Sequence, residues 1–394
     1  MRNIYKDIIY FFSNESFLIV IMVLVFSQIS GSLLYLSLLL VPYILLYSET
    51  KFRIDTMALL ISLYSVSYAL FTYLNGWYAN ANANILFNSI LPPLFYLVGK
   101  YWGDTYGRNL YFLLSLAILI LSIKPIIYVL IDIANTGQII NLSRSMELSN
   151  GRVSSSATNI GIQISLVVSG IGLLIFQPLN KIEKSYKCLL ILLSMLGLLC
   201  VVHLINRTGV VVAIISLITC LIINIYKHGK NIIKPIAISA VLLVLVLIML
   251  DFPVIEDILL AYNGREIDGY ETSNVGGRTE LWNMGLKNLF KYPFGQTEFV
   301  RHSYSHNYWL DTAATAGLFP FFLLLIITVR HITATLLVIK RSSNSMLLAM
   351  FITTNVGFVL TCFVEPVMEG SSLYVFLLFL FVGITQGYTK CVIK

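Results

Sequence analysis

Charge is what this chain lacks most. Asp, Glu, Lys and Arg make up 11% of its 394 residues and apolar residues 58%, a balance that excludes a soluble domain of this length and implies a polytopic α-helical membrane protein. Cysteine is also sparse, with Cys200, Cys220 and Cys362 inside apolar runs, Cys188 at the edge of one and Cys391 near the end of the chain. None falls in a segment read as an outer loop, so no disulfide framework is expected. There is no glycine-rich nucleotide loop and no zinc-ligand spacing, and the net charge of +7 resides largely in short loops between apolar runs. Nucleic acid is therefore not an expected partner. No small-residue cleavage site follows the first apolar stretch, which reads as a retained span.

What is present is a series of apolar runs near 16–30, 32–47, 56–74, 85–99, 109–130, 159–178, 188–205, 210–226, 235–250, 305–329, 346–364 and 372–388. They predict about twelve transmembrane helices in one integral membrane domain over residues 1–394. Only Ser30-Gly31-Ser32 separates the first two runs, which are alternatively one kinked or re-entrant unit, and the short fourth run contains Pro92 and Pro93. With both termini cytoplasmic, 17 of the 26 basic residues fall in inner loops, Arg330 among them. Twelve of those 17 are lysine, whereas the outer set holds six arginines: Arg144, Arg152, Arg207, Arg265, Arg278 and Arg301. A planar guanidinium suits bidentate phosphate binding, so the change of residue type hints at an outward-facing anion site.

Two outer segments are long enough to carry a site. In the first, residues 131–158, the serines and threonine from Ser154 to Thr158 are candidate caps for the following helix, whose N-terminus would present Arg152 to an anion. A solvated linker with an ordinary cap is the alternative. The second, residues 251–304, contains Leu281, Trp282, Gly285, Leu286, Leu289 and Phe290 at helical spacing, with Asn283, Lys287 and Asn288 opposite and Tyr292-Pro293 as the stop. This predicts an interfacial amphipathic helix with Arg278 at its N-terminus, where the helix dipole adds to the arginine charge. An anchoring arginine paired with Glu280 or a lipid headgroup is the alternative.

Residues 188–226 are too many for one span, yet lysines of the inner-loop type stand at both ends, so the chain must turn back between them. Asn206-Arg207-Thr208-Gly209 is the polar break that allows it, which puts a guanidinium at the start of the returning helix. A snorkelling arginine is the other reading of Arg207. Further on, Ser305 to Asp311 opens an apolar run. His306 is expected to begin that helix and to share a face with Leu310, Ala313 and Gly317, Asp311 facing elsewhere; a structural histidine capping the helix is the alternative. His302, four residues earlier, is its competitor. One histidine and two arginines on one side of a membrane suggest chemistry on a phosphate-bearing lipid.

Taken together, Arg278-x-x-x-Trp282, the Pro293-x-Gly295 that ends the amphipathic run, and His306-Asn307 with Gly317 beyond resemble the O-antigen polymerase and O-antigen ligase superfamily. The arginine of Asn206-Arg207-Thr208-Gly209 and the stretch Arg152 to Asn159 are similar to further motifs of that group. The resemblance covers roughly residues 150–320 and implies a metal-independent C-type glycosyltransferase with no cofactor. It implies action on undecaprenyl-diphosphate-linked glycans at the periplasmic face of a bacterial inner membrane, with a chain-length regulator and a flippase as membrane partners. By this resemblance Arg207 and Arg278 hold the diphosphate and His306 activates the acceptor hydroxyl, with Arg152, Asn307 and Trp309 as further substrate contacts.

Elementary chemistry agrees. A diphosphate is a good leaving group, two arginines would neutralise its growing charge, and a sugar hydroxyl needs a base that titrates near neutrality. The first outer turn has no aspartate pair for a metal, which leaves Glu266 with Asp268, or Glu365 with Glu369, as candidate ligands. Polymerase and ligase differ in acceptor, and a ligase must receive the acidic lipid A core. Residues 251–303 carry eight acidic and five basic residues, a balance of −3 that favours a polymerase. A transporter of the lipid-linked sugar is a third reading, but the chain shows no internal repeat and its polar residues concentrate at the outer ends of spans.

Overall fold

The structure is a computed structural model, and it describes residues 2–27, 31–48, 51–77, 82–107, 110–141, 145–147, 154–178, 181–228, 278–297, 305–342 and 345–393. In chain order the helices are α1 (Arg2–Phe26), a 3-10 segment Gly31–Leu39, α2 (Leu40–Leu46), α3 (Thr56–Leu74), α4 (Asn82–Tyr106) and α5 (Leu110–Thr136). The strands β1 (Ser145–Glu147) and β2 (Ser154–Ser156) follow, then α6 (Ala157–Ser169), which runs on as a 3-10 segment Gly170–Ile175, α7 (Lys181–His203) and α8 (Arg207–His228). The remainder comprises α9 (Arg278–Lys291), α10 (Tyr308–Ala316), α11 (Leu318–Arg341), α12 (Ser345–Val364), α13 (Val367–Gly370) and α14 (Ser372–Ile393).

Among the described residues eight helices are long and apolar enough to cross a membrane, against the twelve expected. The chain is thus a multi-pass helical protein, and four runs account for the difference. The first two yield only the shorter apolar helices Phe12–Phe26 and Leu33–Leu46, the fourth lies in α4, which carries Asn88, Ser89 and both prolines, and run 235–250 lies outside the described residues. A larger correction concerns run 305–329. Gly317, at φ +86°, breaks it into the short α10 and the long α11, so the spanning helix is Leu318–Arg341 and Arg330 lies inside it, not in an inner loop. The expected caps Ser154 to Ser156 instead form a strand, antiparallel to Ser145–Glu147, and α6 starts directly after it.

The described residues cluster into two compact units. The first comprises Met1–Leu121, Leu281–Ser342 and Pro366–Lys394, and its centre is the packing of α4 on α14. Gly99 and Gly103 of α4 face Gly383 and Gly387 of α14, and the register runs parallel, Gly99 against Leu380 and Gly103 against Ile384. A Cβ on Gly99 would stand 2.0 Å from the Leu380 carbonyl oxygen, and one on Gly383 would stand 2.2 Å from that of Tyr96. Two small-x-x-x-small stripes therefore let the backbones touch, which in lipid supplies the packing that a hydrophobic driving force cannot.

The second unit, Ser122–Glu280 with Ser343–Glu365, packs α12 against α6 and α8. Gly172 and Gly357 provide the close approaches there, to Ser216 and Cys220 and to Leu166 and Ser169 respectively. Buried His203 meets an acceptor at each ring nitrogen, Asp132 at 2.8 Å and the Ile139 carbonyl at 2.9 Å, so it ties the end of α7 to the end of α5.

Candidate active site

The returning turn after α7 is where the sequence placed it. Asn206 is the N-cap of α8: its Oδ1 accepts from the Gly209 amide at 2.9 Å, and Gly209 lets the new helix lie against Val201, where a Cβ would meet Cγ2 at 2.3 Å. Asn206 itself occupies space that only a glycine at position 161 leaves free. Arg207 thus becomes the first residue of α8, half-buried at the positive end of the helix dipole.

Arg278 is likewise the first residue of its helix, α9. Its guanidinium lies 3.3 Å from Oε1 of Glu365, at the end of α12, and that same oxygen accepts a hydrogen bond from the Thr208 hydroxyl. One buried carboxylate therefore draws together the N-terminal turns of two helices, each led by an arginine. Sequence reasoning offered Glu365 only as a candidate metal ligand. Its signal was a lone acid just past an apolar run, which hydropathy treats as a loop residue.

His306 belongs to the other unit and does not begin a helix. It stands before Asn307, the true N-cap of α10, whose Oδ1 accepts from the Leu310 amide at 3.2 Å. The shared face with Leu310, Ala313 and Gly317 therefore does not exist, because His306 is outside the helical register. Its backbone is at φ +51°. Asp311 holds it there: the carboxylate accepts from the Ser305 amide at 2.7 Å and from the Asn307 amide at 3.1 Å, the two amides that flank the histidine. Trp309 donates its indole N–H to Thr328 at 3.0 Å, which joins α10 to α11.

Among the described residues only two non-glycine positions have positive φ, His306 and Ile205. For a β-branched residue such as Ile205, which nearly adjoins Arg207, that conformation is an outlier. Strain of this kind persists only where the surroundings over-determine it, and it gathers at functional sites.

The sequence's Pro293-x-Gly295 and Gly317 also meet within the first unit. The Leu318 amide donates to the Pro293 carbonyl at 2.8 Å, the Gln296 amide to that of Ala314 at 2.7 Å, and the Asn75 side chain to the carbonyls of Phe294 and Thr315. Gly295 and Gly317 both have positive φ and have no room for a Cβ. This lock fixes the end of α9 on the α10–α11 corner, while Gly285 rests against Ser305 and Leu310. The apolar stripe of α9 is rotated from the expected one. Leu286 and Phe290 are exposed beside Lys287 and Lys291, as suits a helix lying at a membrane interface, and Asn288 is turned partly inward. Arg152, His302, Glu266 and Asp268 lie outside the described residues.

The class these features define is a multi-pass membrane protein with arginine-led helix N-termini and a strained histidine between two clamped amides. Residues 190–325 match the family model described as O-Antigen ligase. Arg207, Arg278 and His306 all fall within the match; Glu365 falls outside it. A comparison with curated proteins gives no match. Nothing in these comparisons supports the transporter reading.

Proposed function

We propose that the protein is a glycosyltransferase that polymerises undecaprenyl-diphosphate-linked repeat units into a polysaccharide of the O-antigen or capsule kind, on the outer face of the cytoplasmic membrane. The observation that carries this reading is the convergence of Thr208 and Arg278 on Glu365. A site that already draws a carboxylate to the first turns of two helices, each led by an arginine, has the electrostatics for a diphosphate. Glu365 engages one edge of the Arg278 fork, and an arginine has five N–H donors, so donors are left for phosphate oxygens.

In the proposed reaction a sugar hydroxyl of the acceptor attacks the anomeric carbon of the donor. The new glycosidic C–O bond forms as the bond to the diphosphate oxygen breaks, and the leaving undecaprenyl diphosphate takes the electron pair. His306 takes the hydroxyl proton, and Arg207 and Arg278 stabilise the negative charge that develops on the leaving group. The description of the matched family favours a second reading, a ligase that passes the glycan to lipid A core.

If both arginines grip a diphosphate by paired hydrogen bonds, lysine rescues poorly, since it supplies a point charge in place of a fork. Arg207→Lys and Arg278→Lys are each expected to lower kcat/KM at least about tenfold in proteoliposomes, roughly one charge-assisted hydrogen bond. Near-normal activity of both variants would contradict paired diphosphate binding.

A further inference from the structure

Far from these residues in the sequence, the first unit contains a cavity of about 310 Å³ that the proposed reaction does not use. It opens where the segment before α3 meets the last turns of α4 and α14. Its walls include Lys51, Arg53, Lys100 and Lys390, with Asp104 as the one acidic side chain, and Tyr101. All four basic residues belong to the set that the charge asymmetry of the loops assigns to the cytoplasmic side.

Two of the four cations are already committed. Lys100 lies 2.8 Å from Asp55 and donates to the Arg53 carbonyl at 2.6 Å, and Lys51 lies 3.5 Å from buried Glu15. Burial alone would push the Asp55 carboxyl up and the Lys51 ammonium down, but the partners prevail: Lys100 holds Asp55 below the usual carboxylate range, and Glu15 holds Lys51 above its ordinary value. Arg53 and Lys390 differ. Both are exposed, and among the described residues neither has a carboxylate partner.

We propose that this cavity is a binding site for the phosphate headgroup of an anionic phospholipid of the inner leaflet, gripped by Arg53 and Lys390 with Lys51 and Lys100 behind them. A basic pocket between spanning helices on the cytoplasmic side is the physical form such sites take. The committed pairs set the shape of the pocket, and the two uncommitted cations supply the attraction.

The test uses the full chain, purified and delipidated, with phosphatidylglycerol retention read by native mass spectrometry and thermal stability read in vesicles of phosphatidylglycerol or phosphatidylcholine. The wild type is expected to retain phosphatidylglycerol and to be stabilised by it over phosphatidylcholine. Arg53→Gln with Lys390→Gln should weaken retention about thirtyfold, on the order of what two basic residues near a membrane surface contribute. Arg53→Lys with Lys390→Arg keeps both charges and should retain the lipid. Lys184→Gln removes an exposed basic residue outside the cavity and should change nothing. Equal loss in Lys184→Gln, or unchanged retention in the Gln double variant that still runs as a single folded species, would overturn the proposal. So would displacement of the lipid by millimolar inorganic phosphate that gives the same stabilisation, since the ligand would then be a free anion.

Discussion

Replacement of His306 is expected to abolish glycan transfer while the protein still inserts and folds. Loss of a positioned general base lowers a rate by about 10²–10⁴, and the residue stands at the mouth of a helix whose hydrophobicity does not depend on it. The structure determines which replacement is informative. At φ +51° an alanine tolerates the left-handed region less well than histidine does, so His306→Ala combines a backbone effect with the loss of the base. His306→Asn is cleaner: asparagine tolerates the left-handed region and has no basic nitrogen. Both variants should be at least about 100-fold slower in kcat, with the asparagine variant matching the wild type in thermal stability. His302→Ala should be milder. Wild-type chain length in cells that carry His306→Asn would remove the histidine from the mechanism.

The second large effect concerns folding, not chemistry. Gly383→Val places a Cβ 2.2 Å from the Tyr96 carbonyl, and Gly99→Val places one 2.0 Å from that of Leu380. In both cases the obstacle is backbone, which cannot rotate aside, so α4 and α14 must separate along their whole contact. Overpacking of this kind costs about 1–3 kcal/mol and at times more, and each valine is expected at the upper end. Gly197→Ala is the graded control, since the tight contacts of its Cβ would be the side-chain ends of Val168 at 3.0 Å and Val167 at 3.2 Å, with the nearest backbone atom at an ordinary 3.7 Å. Thermal unfolding in detergent should rank wild type above Gly197→Ala, and Gly197→Ala well above Gly99→Val and Gly383→Val. Equal stability of all four would mean that the glycine stripes are not the contact that holds α4 to α14.

The parts of this architecture that follow from one-dimensional rules were legible in the sequence. Apolar length gave α3 at Thr56–Leu74, and the clash between run length and basic flanks gave the turn at Asn206. Periodicity gave α9 as a helix but misplaced its buried side by part of a turn, because Leu286 and Phe290 are as compatible with a membrane interface as with a protein core. Hydropathy could not see the break at Gly317: the residues on both sides are apolar, and only the backbone conformation, fixed by the Pro293 carbonyl, ends α10 there. A separate error at the other end, starting the helix at His306 and not after the Asn307 cap, carried His306 into a helix to which it does not belong. The sequence named Glu365 as a candidate metal ligand and Asp311 as a residue facing elsewhere, but not the partners of either. Each acts by accepting hydrogen bonds, Asp311 from amides on either side of His306 and Glu365 from residues 87 and 157 positions away in the chain, and no local pattern records such a partner. The facing glycines of α4 and α14 escaped notice because a glycine adds almost nothing to hydropathy, while its whole effect comes from a helix far away in the chain.

The most direct test of the proposed reaction is a reconstitution with one kind of substrate. The purified protein is placed in liposomes with undecaprenyl-diphosphate-linked repeat units and no lipid A core, and product length is followed on a gel. A polymerase needs nothing else, since one lipid-linked glycan is the donor and another the acceptor. The account predicts a ladder that lengthens with time in the wild type and stays at a single repeat unit in His306→Asn. Donor that remains unchanged until lipid A core is supplied, and is then transferred to it, would contradict the polymerase assignment.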